Sequence, residues 1–153
     1  MFKVKKLFVL AIVSMLTIAA FAQSSEKVSE IIKADKATFG QAAYLVTAAC
    51  GELGDNDGFD EALNVLKRKR IVSYSVNADD NINLKSLSWL CAYAWQIDGS
   101  LMLKVFNSPR YTFRQMKADE VISSAADPMD VPDGRGLLAV ITDCIGKYQV
   151  KGE

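Results

Sequence analysis

Apolar residues recur every three or four positions along most of this chain, and sustained strand-like alternation is nearly absent. That spacing predicts five amphipathic helices, with a shorter one opening near Val28–Ile32. The first spans Thr38–Cys50, with Phe39, Ala42, Leu45, Val46 and Ala49 inward. Thr38 followed by Gln41 makes a capping box, and Gly51 suits the residue just past the helix end. The second spans Phe59–Arg70, with Ala62, Leu63, Val65 and Leu66 inward, and closes on Lys67-Arg68-Lys69-Arg70. The third spans Asn83–Trp95. Its stripe of Leu84, Leu87, Leu90, Cys91 and Ala94 is widened by Trp89 and Tyr93, which predicts a central position. Ser108 caps the fourth, with Pro109 at its first position, and the helix is expected to run to Val121-Ile122. Asp133 caps the fifth, which reaches Ile145 with Leu137, Val140, Ile141 and Cys144 inward.

These helices share a register. At an offset of 50 positions Leu63 falls on Phe113, Leu66 on Met116, Leu87 on Leu137, Leu90 on Val140 and Ala94 on Cys144. The β-like dipeptide Ile71-Val72 falls on Val121-Ile122, and the cap Asn83 falls on Asp133. At an offset of 45 the third helix falls on the first, Asn83 on Thr38 and Leu87 on Ala42. A period of 45–50 residues predicts stacked helix-loop-helix units, here roughly 23–53, 54–98 and 107–148.

Each unit reads as a helix, an apolar dipeptide, a loop, a capped start and a second apolar helix. In this the chain resembles the S-layer homology (SLH) module, best over Phe59–Trp95 and then over Arg110–Ile145. The four residues matching that family's Thr-Arg-Ala-Glu-like start are Thr38-Phe39-Gly40-Gln41, Asn83-Leu84-Lys85-Ser86 and Asp133-Gly134-Arg135-Gly136. A capping residue is kept in each. The basic residue lies one position later than in the family, at Lys85 and Arg135. The resemblance implies an all-α fold, with helix-loop-helix repeats packed as a small pseudo-threefold helical domain, and a glycan-binding role.

Before these helices, Met1–Lys6 carries three lysines and Leu7–Ala20 is apolar except for Ser14 and Thr17. Ala20-Phe21-Ala22 then places small residues where a leader is cut, so residues 1–22 are expected to be a cleaved signal peptide. The apolar run is short of the roughly 20 residues that span a bilayer. The protein is therefore expected in a periplasm or at the cell envelope, with no membrane span after cleavage. The whole chain has 18 basic and 18 acidic side chains; without Lys3, Lys5 and Lys6 the remaining 131 residues carry 15 basic and 18 acidic, a net −3. Mild acidity argues against a nucleic-acid partner, which asks for a basic face.

Absent histidine excludes Ser-His-Asp and Cys-His catalysis and His-ligated metals. The acid-rich stretch Asp55-Asn56-Asp57-Gly58 fails as a calcium loop: with Gly58 at the sixth position, Leu53 and Asn64 fall on the first and twelfth ligands. Asp55, Asp57, Asp60 and Glu61 lie in a polar loop region that would not raise a carboxyl pKa for glycoside hydrolysis. No enzyme and no cofactor are expected. Cys50, Cys91 and Cys144 are three, so at most one internal bridge can form, and all three read as small core residues.

Two basic groups remain as ligand candidates. One is Lys67, Arg68, Lys69 and Arg70. The other is Arg110, Arg114 and Lys117, spaced along one helix face, with Tyr111 beside them. Guanidinium forks suit carboxylate or phosphate, and the repeat is expected to place both groups in related grooves. Between the second and third units, Leu101, Met102, Leu103, Val105 and Phe106 are too apolar for a linker. They are expected to cover the core; the alternative is an exposed partner patch. Two functions from different classes follow: an exported envelope module that binds an anionic wall polymer, or a structural subunit that docks on an envelope protein.

Overall fold

The computed structural model describes residues 24–97 and 104–150. The expected signal peptide, Leu101, Met102 and Leu103 lie outside the described residues. Within them the chain is all-helical: α1 over 24–33, α2 Phe39–Ala49, α3 Phe59–Arg68, α4 Leu84–Ala94, α5 Pro109–Ala118 and α6 Gly134–Lys147. No strand occurs among the described residues, only the isolated bridges Thr38–Asn81 and Trp95–Val150. No described helix is long and apolar enough to cross a membrane.

Three of the four predicted caps form; Ser108 stands at the N-cap of α5 but makes no side-chain cap hydrogen bond. Gln41 N–H donates to Thr38 Oγ1 at 3.3 Å and Thr38 N–H to Gln41 Oε1 at 3.2 Å, closing the box at α2. The side chains of Asn83 and Asp133 accept from Ser86 N–H and Gly136 N–H at 2.9 and 2.6 Å. Three helices end in the same way. Gly51, Arg70 and Glu120 take positive φ of 66°, 60° and 62°. After α3, Arg70 N–H reaches Lys67 O and Ile71 N–H reaches Leu66 O; after α5, Glu120 N–H reaches Lys117 O and Val121 N–H reaches Met116 O. This is the Schellman arrangement, which satisfies the last carbonyls and brings an apolar residue back onto the helix. It corrects two expectations. Lys69 and Arg70 lie past the end of α3, and α5 stops at Ala118 rather than at Val121-Ile122. The apolar dipeptides are helix stops that tuck Val72, Val121 and Ile122 into the core, not strand.

The three capped starts meet at the centre. Ile82 N–H donates to Ala37 O at 3.0 Å, and Ala37 N–H to Pro132 O at 2.7 Å; proline has no N–H to continue the ring. Each capped helix then receives an incoming chain on its first N–H groups. Phe39 and Gly40 N–H donate to Asp80 O and Ala78 O; Leu84 and Lys85 N–H donate to Asp130 O and Pro128 O; Gly134 N–H donates to Ala34 O. Backbone carbonyls from the neighbouring segment thus satisfy donors that a helix start leaves open.

The core is shared by all six helices. Ile31, Val46, Leu66, Ile82, Leu87, Leu90, Cys91, Met116, Leu137 and Cys144 are at most 1 % exposed. Helix α4 packs on α2 and α5, and α2 also packs on α3 and α6, so α2 and α4 are the central pair.

Candidate functional site

The α4–α5 seam opens into a groove of about 580 Å³, lined by Lys85, Arg110, Phe113, Arg114, Lys117 and Pro128. Local rules position each cation. Asn83 fixes the start of α4, and the Lys85 N–H bond to Pro128 O (3.0 Å) ties that start to the 121–130 loop. Pro109 sets the first turn of α5, which places Arg110, Arg114 and Lys117 on successive turns of one face. Phe113 buries its ring at 4 % exposure and forms the apolar floor. Lys117 Nζ lies 5.4 Å from that ring centroid and donates to Ala126 O at 2.9 Å, so it is held in place.

Four cations therefore face one groove, and no acid is among its described lining residues. Two of them stand where helix electrostatics disfavour them. Lys85 and Arg110 lie in the first turns of α4 and α5, at the positive end of each helix dipole, and neither first turn holds an acid. Such placement lowers stability slightly unless an anion binds there.

The structure separates the two basic groups that the sequence suggested. Positions 67–70 correspond in backbone geometry to 117–120, so only Lys67 and Lys117 are equivalent; Arg110 and Arg114 correspond to Asp60 and Asn64. The run Lys67–Arg70 contributes nothing to the described lining of the α4–α5 groove. Lys69 Nζ contacts Glu52 Oε1 at 2.5 Å and Tyr93 Oη at 2.6 Å. The Glu52 carboxylate and then the Tyr93 hydroxyl hold the Lys69 ammonium well above its ordinary pKa, so it stays charged. Tyr111 turns away from the groove and stacks on Phe106, with centroids 5.6 Å apart and planes at 24°.

The end of α5 carries a cluster at the position equivalent to that of Lys69. Asp119, at the position of Lys69, accepts from Tyr148 Oη at 2.5 Å and from Gln115 Nε2 at 2.9 Å, and its backbone carbonyl accepts from Lys147 Nζ. Burial, then the Asp119 carboxylate, pushes the Tyr148 hydroxyl well above its ordinary pKa.

The expectation that Val105 and Phe106 cover the core is not met: they are 63 % and 51 % exposed. Their segment leads into α5 on the outside of the bundle, where Phe106 finds Tyr111 rather than a core residue. Lys85 is the cation that the helix-face argument missed. Its signal was the register of the capped starts, where Gly40, Lys85 and Arg135 share the second helical position.

Comparison of the chain with family models, with curated proteins and with solved structures returned no match in any of the three.

Proposed function

We propose that this protein is an exported, non-enzymatic module of the cell envelope that binds an anionic wall polymer or envelope glycan in the α4–α5 groove. The observation that carries the reading is the convergence of Lys85, Arg110, Arg114 and Lys117 on one groove of a chain that is net acidic once residues 1–22 are removed. The overall field of the protein does not account for such a patch. Phe113 and Pro128 add apolar surface on which the face of a sugar ring can rest while the cations take its carboxylate or phosphate. The matching backbone of the capped starts favours a repeat-built reading of the scaffold. The test is co-sedimentation of the mature protein with purified peptidoglycan bearing its anionic polymers, at low and high salt. Pelleting that falls steeply as salt rises is expected, because exposed ion contacts are screened. Salt-independent pelleting, or none, overturns the reading.

A second reading rests on the exposure of Val105 and Phe106 beside Tyr111. An envelope protein docking there would make this chain a structural subunit. A single specific band in a crosslinked pulldown, lost in Phe106→Asp, together with no pelleting on peptidoglycan, favours that reading over the first.

A further inference from the structure

Three features stand outside the proposed site: the acidic hollow around Asp55 and Asp57, the small apolar groove beside Trp89, and two thiols in the core. The thiols carry furthest. Cys91 and Cys144 lie on different helices, α4 and α6, and both are 0 % exposed. Each sits one turn before its helix ends: Trp95 N–H donates to Cys91 O at 2.8 Å and Tyr148 N–H to Cys144 O at 2.9 Å. The chains leaving the two helices then pair. Trp95 bridges Val150, and Gln96 N–H donates to Gln149 O at 2.8 Å. Two helix ends joined at their exits bring the buried residues one turn before each end close together, and the Cys91 side chain meets that of Cys144.

We infer that Cys91 and Cys144, which are free thiols in this structure, form a disulfide that staples the end of α4 to the end of α6. Cys50 is half-buried at the end of α2, in a different part of the chain. In the finished core the contact with Cys144, and then burial, hold the Cys91 thiol well above its ordinary pKa. A protonated, inaccessible thiol does not attack, so the bond forms on the folding chain before the core closes. The oxidant is a disulfide donor, either an exported dithiol–disulfide oxidoreductase or glutathione disulfide. One cysteine thiolate attacks a donor sulfur, forms a mixed disulfide and releases one donor thiol. The second cysteine attacks the mixed disulfide at the first cysteine's sulfur and releases the other donor thiol. The chain loses two electrons and two protons, and the donor disulfide becomes two thiols. That the bond forms in the cell rests on the export reading, since the cytosol keeps thiols reduced.

The test separates the two claims. The full chain is reduced and unfolded, refolded in a buffer of reduced and oxidised glutathione, alkylated, and digested without reduction. Mass spectrometry is expected to show a Cys91–Cys144 linked peptide and alkylation at Cys50 alone. The same link is expected in Cys50→Ala. The oxidised chain should melt roughly 10 °C above the reduced chain, because the bridge closes a long loop in the unfolded state. A refolded chain with three alkylated cysteines, or with a link through Cys50, overturns the pairing. Where refolding yield is poor, the chain is collected from an exporting cell with its thiols trapped, and a Cys91–Cys144 link there supports the pairing directly. A bridged refolded chain beside a fully reduced cellular one supports the pairing and overturns the export reading instead.

Discussion

The α2–α3 and α4–α5 pairs share one backbone plan and use it in opposite ways. In both, a Schellman turn ends the shorter helix, and a loop then runs back to the capped start of a neighbouring helix. The loops share a turn bond: Asn77 N–H caps onto Asp80 Oδ2 at 2.7 Å, and Asp127 N–H onto Asp130 Oδ2 at 2.8 Å. The difference lies in side chains at two places. The second position of the capped helix is Gly40 in one and Lys85 in the other. A Cβ at Gly40 would lie 2.9 Å from Ala78 Cβ and from Phe59 Cβ, so this seam is shut. Lys85 instead reaches into an open groove. Along the shorter helix, α3 carries Asp60 and Glu61 in its first turn and Lys67 and Arg68 in its last, the order that the helix dipole favours. Helix α5 reverses the start, with Arg110 in its first turn and no acid there. The cations of α3, like Lys117 in the last turn of α5, are thus explained by the helix that holds them, whereas Arg110 is not. Local consistency marks structure, and a local rule broken twice in one groove marks a candidate site.

The largest expected effect tests how tightly the third seam closes. A Cβ on Gly134 would stand 1.6 Å from the Ile31 carbonyl oxygen, a backbone atom that cannot step aside. Gly134→Ala is expected to abolish the cooperative thermal transition, and a variant melting within a few degrees of the parent breaks the claim that backbone meets backbone there. Leu90→Ala comes next. Leu90 is 1 % exposed at the α4 interface, and its truncation is expected to cost about 2–5 kcal/mol in denaturant melts.

Exchanging the residues that distinguish the two seams sharpens the comparison. Gly40→Lys forces a side chain into the shut seam and is expected to cost about 1–3 kcal/mol. Lys85→Gly should change stability by about 1 kcal/mol or less while weakening polymer binding, because its side chain lines the groove rather than the core. Equal destabilisation by both exchanges would mean the seams are not different in kind. Reversing Arg110 and Arg114 together to Glu is expected to weaken polymer binding at least about tenfold with little change in melting temperature. Arg135→Glu is the control: it makes half that charge change, at the second position of α6, on an exposed residue outside the described lining of the groove. If Arg135→Glu weakens binding as much as the double reversal, net charge rather than the groove carries the contact.

The smallest effect concerns alkaline pH. Lys69 and Tyr148 both have folded-state pKa values above their ordinary 10.5 and 10.0. The folded chain therefore holds these protons more tightly than the unfolded one. Their contribution is complete below about pH 10 and is lost as pH rises beyond it. The melting temperature should begin to fall there, and Tyr148→Phe, which has no proton to lose, should fall less steeply. Lys69 is exposed enough for solvent to screen its pair, so most of the slope belongs to Tyr148. An identical alkaline slope in Tyr148→Phe would remove the Asp119 cluster from the account.

What the sequence determined by itself was everything set within a turn or two of chain. The helices, the caps at Thr38, Asn83 and Asp133, the inward stripes and the burial of Leu87, Leu90, Cys91 and Leu137 follow from apolar spacing and from short-range hydrogen bonds. The face shared by Arg110, Arg114 and Lys117 was legible for the same reason, since helical geometry fixes neighbours at three and four residues. The Arg70 and Glu120 stops were not legible, because left-handed backbone at a non-glycine residue leaves no mark in residue type. Tertiary structure alone decided which basic group faces a groove, that Lys85 joins it, that Lys69 meets Glu52 and Tyr93, and that Cys91 lies against Cys144. Those partners are far apart along the chain and meet only through helix packing, whose angles and distances depend on the whole core rather than on any one segment.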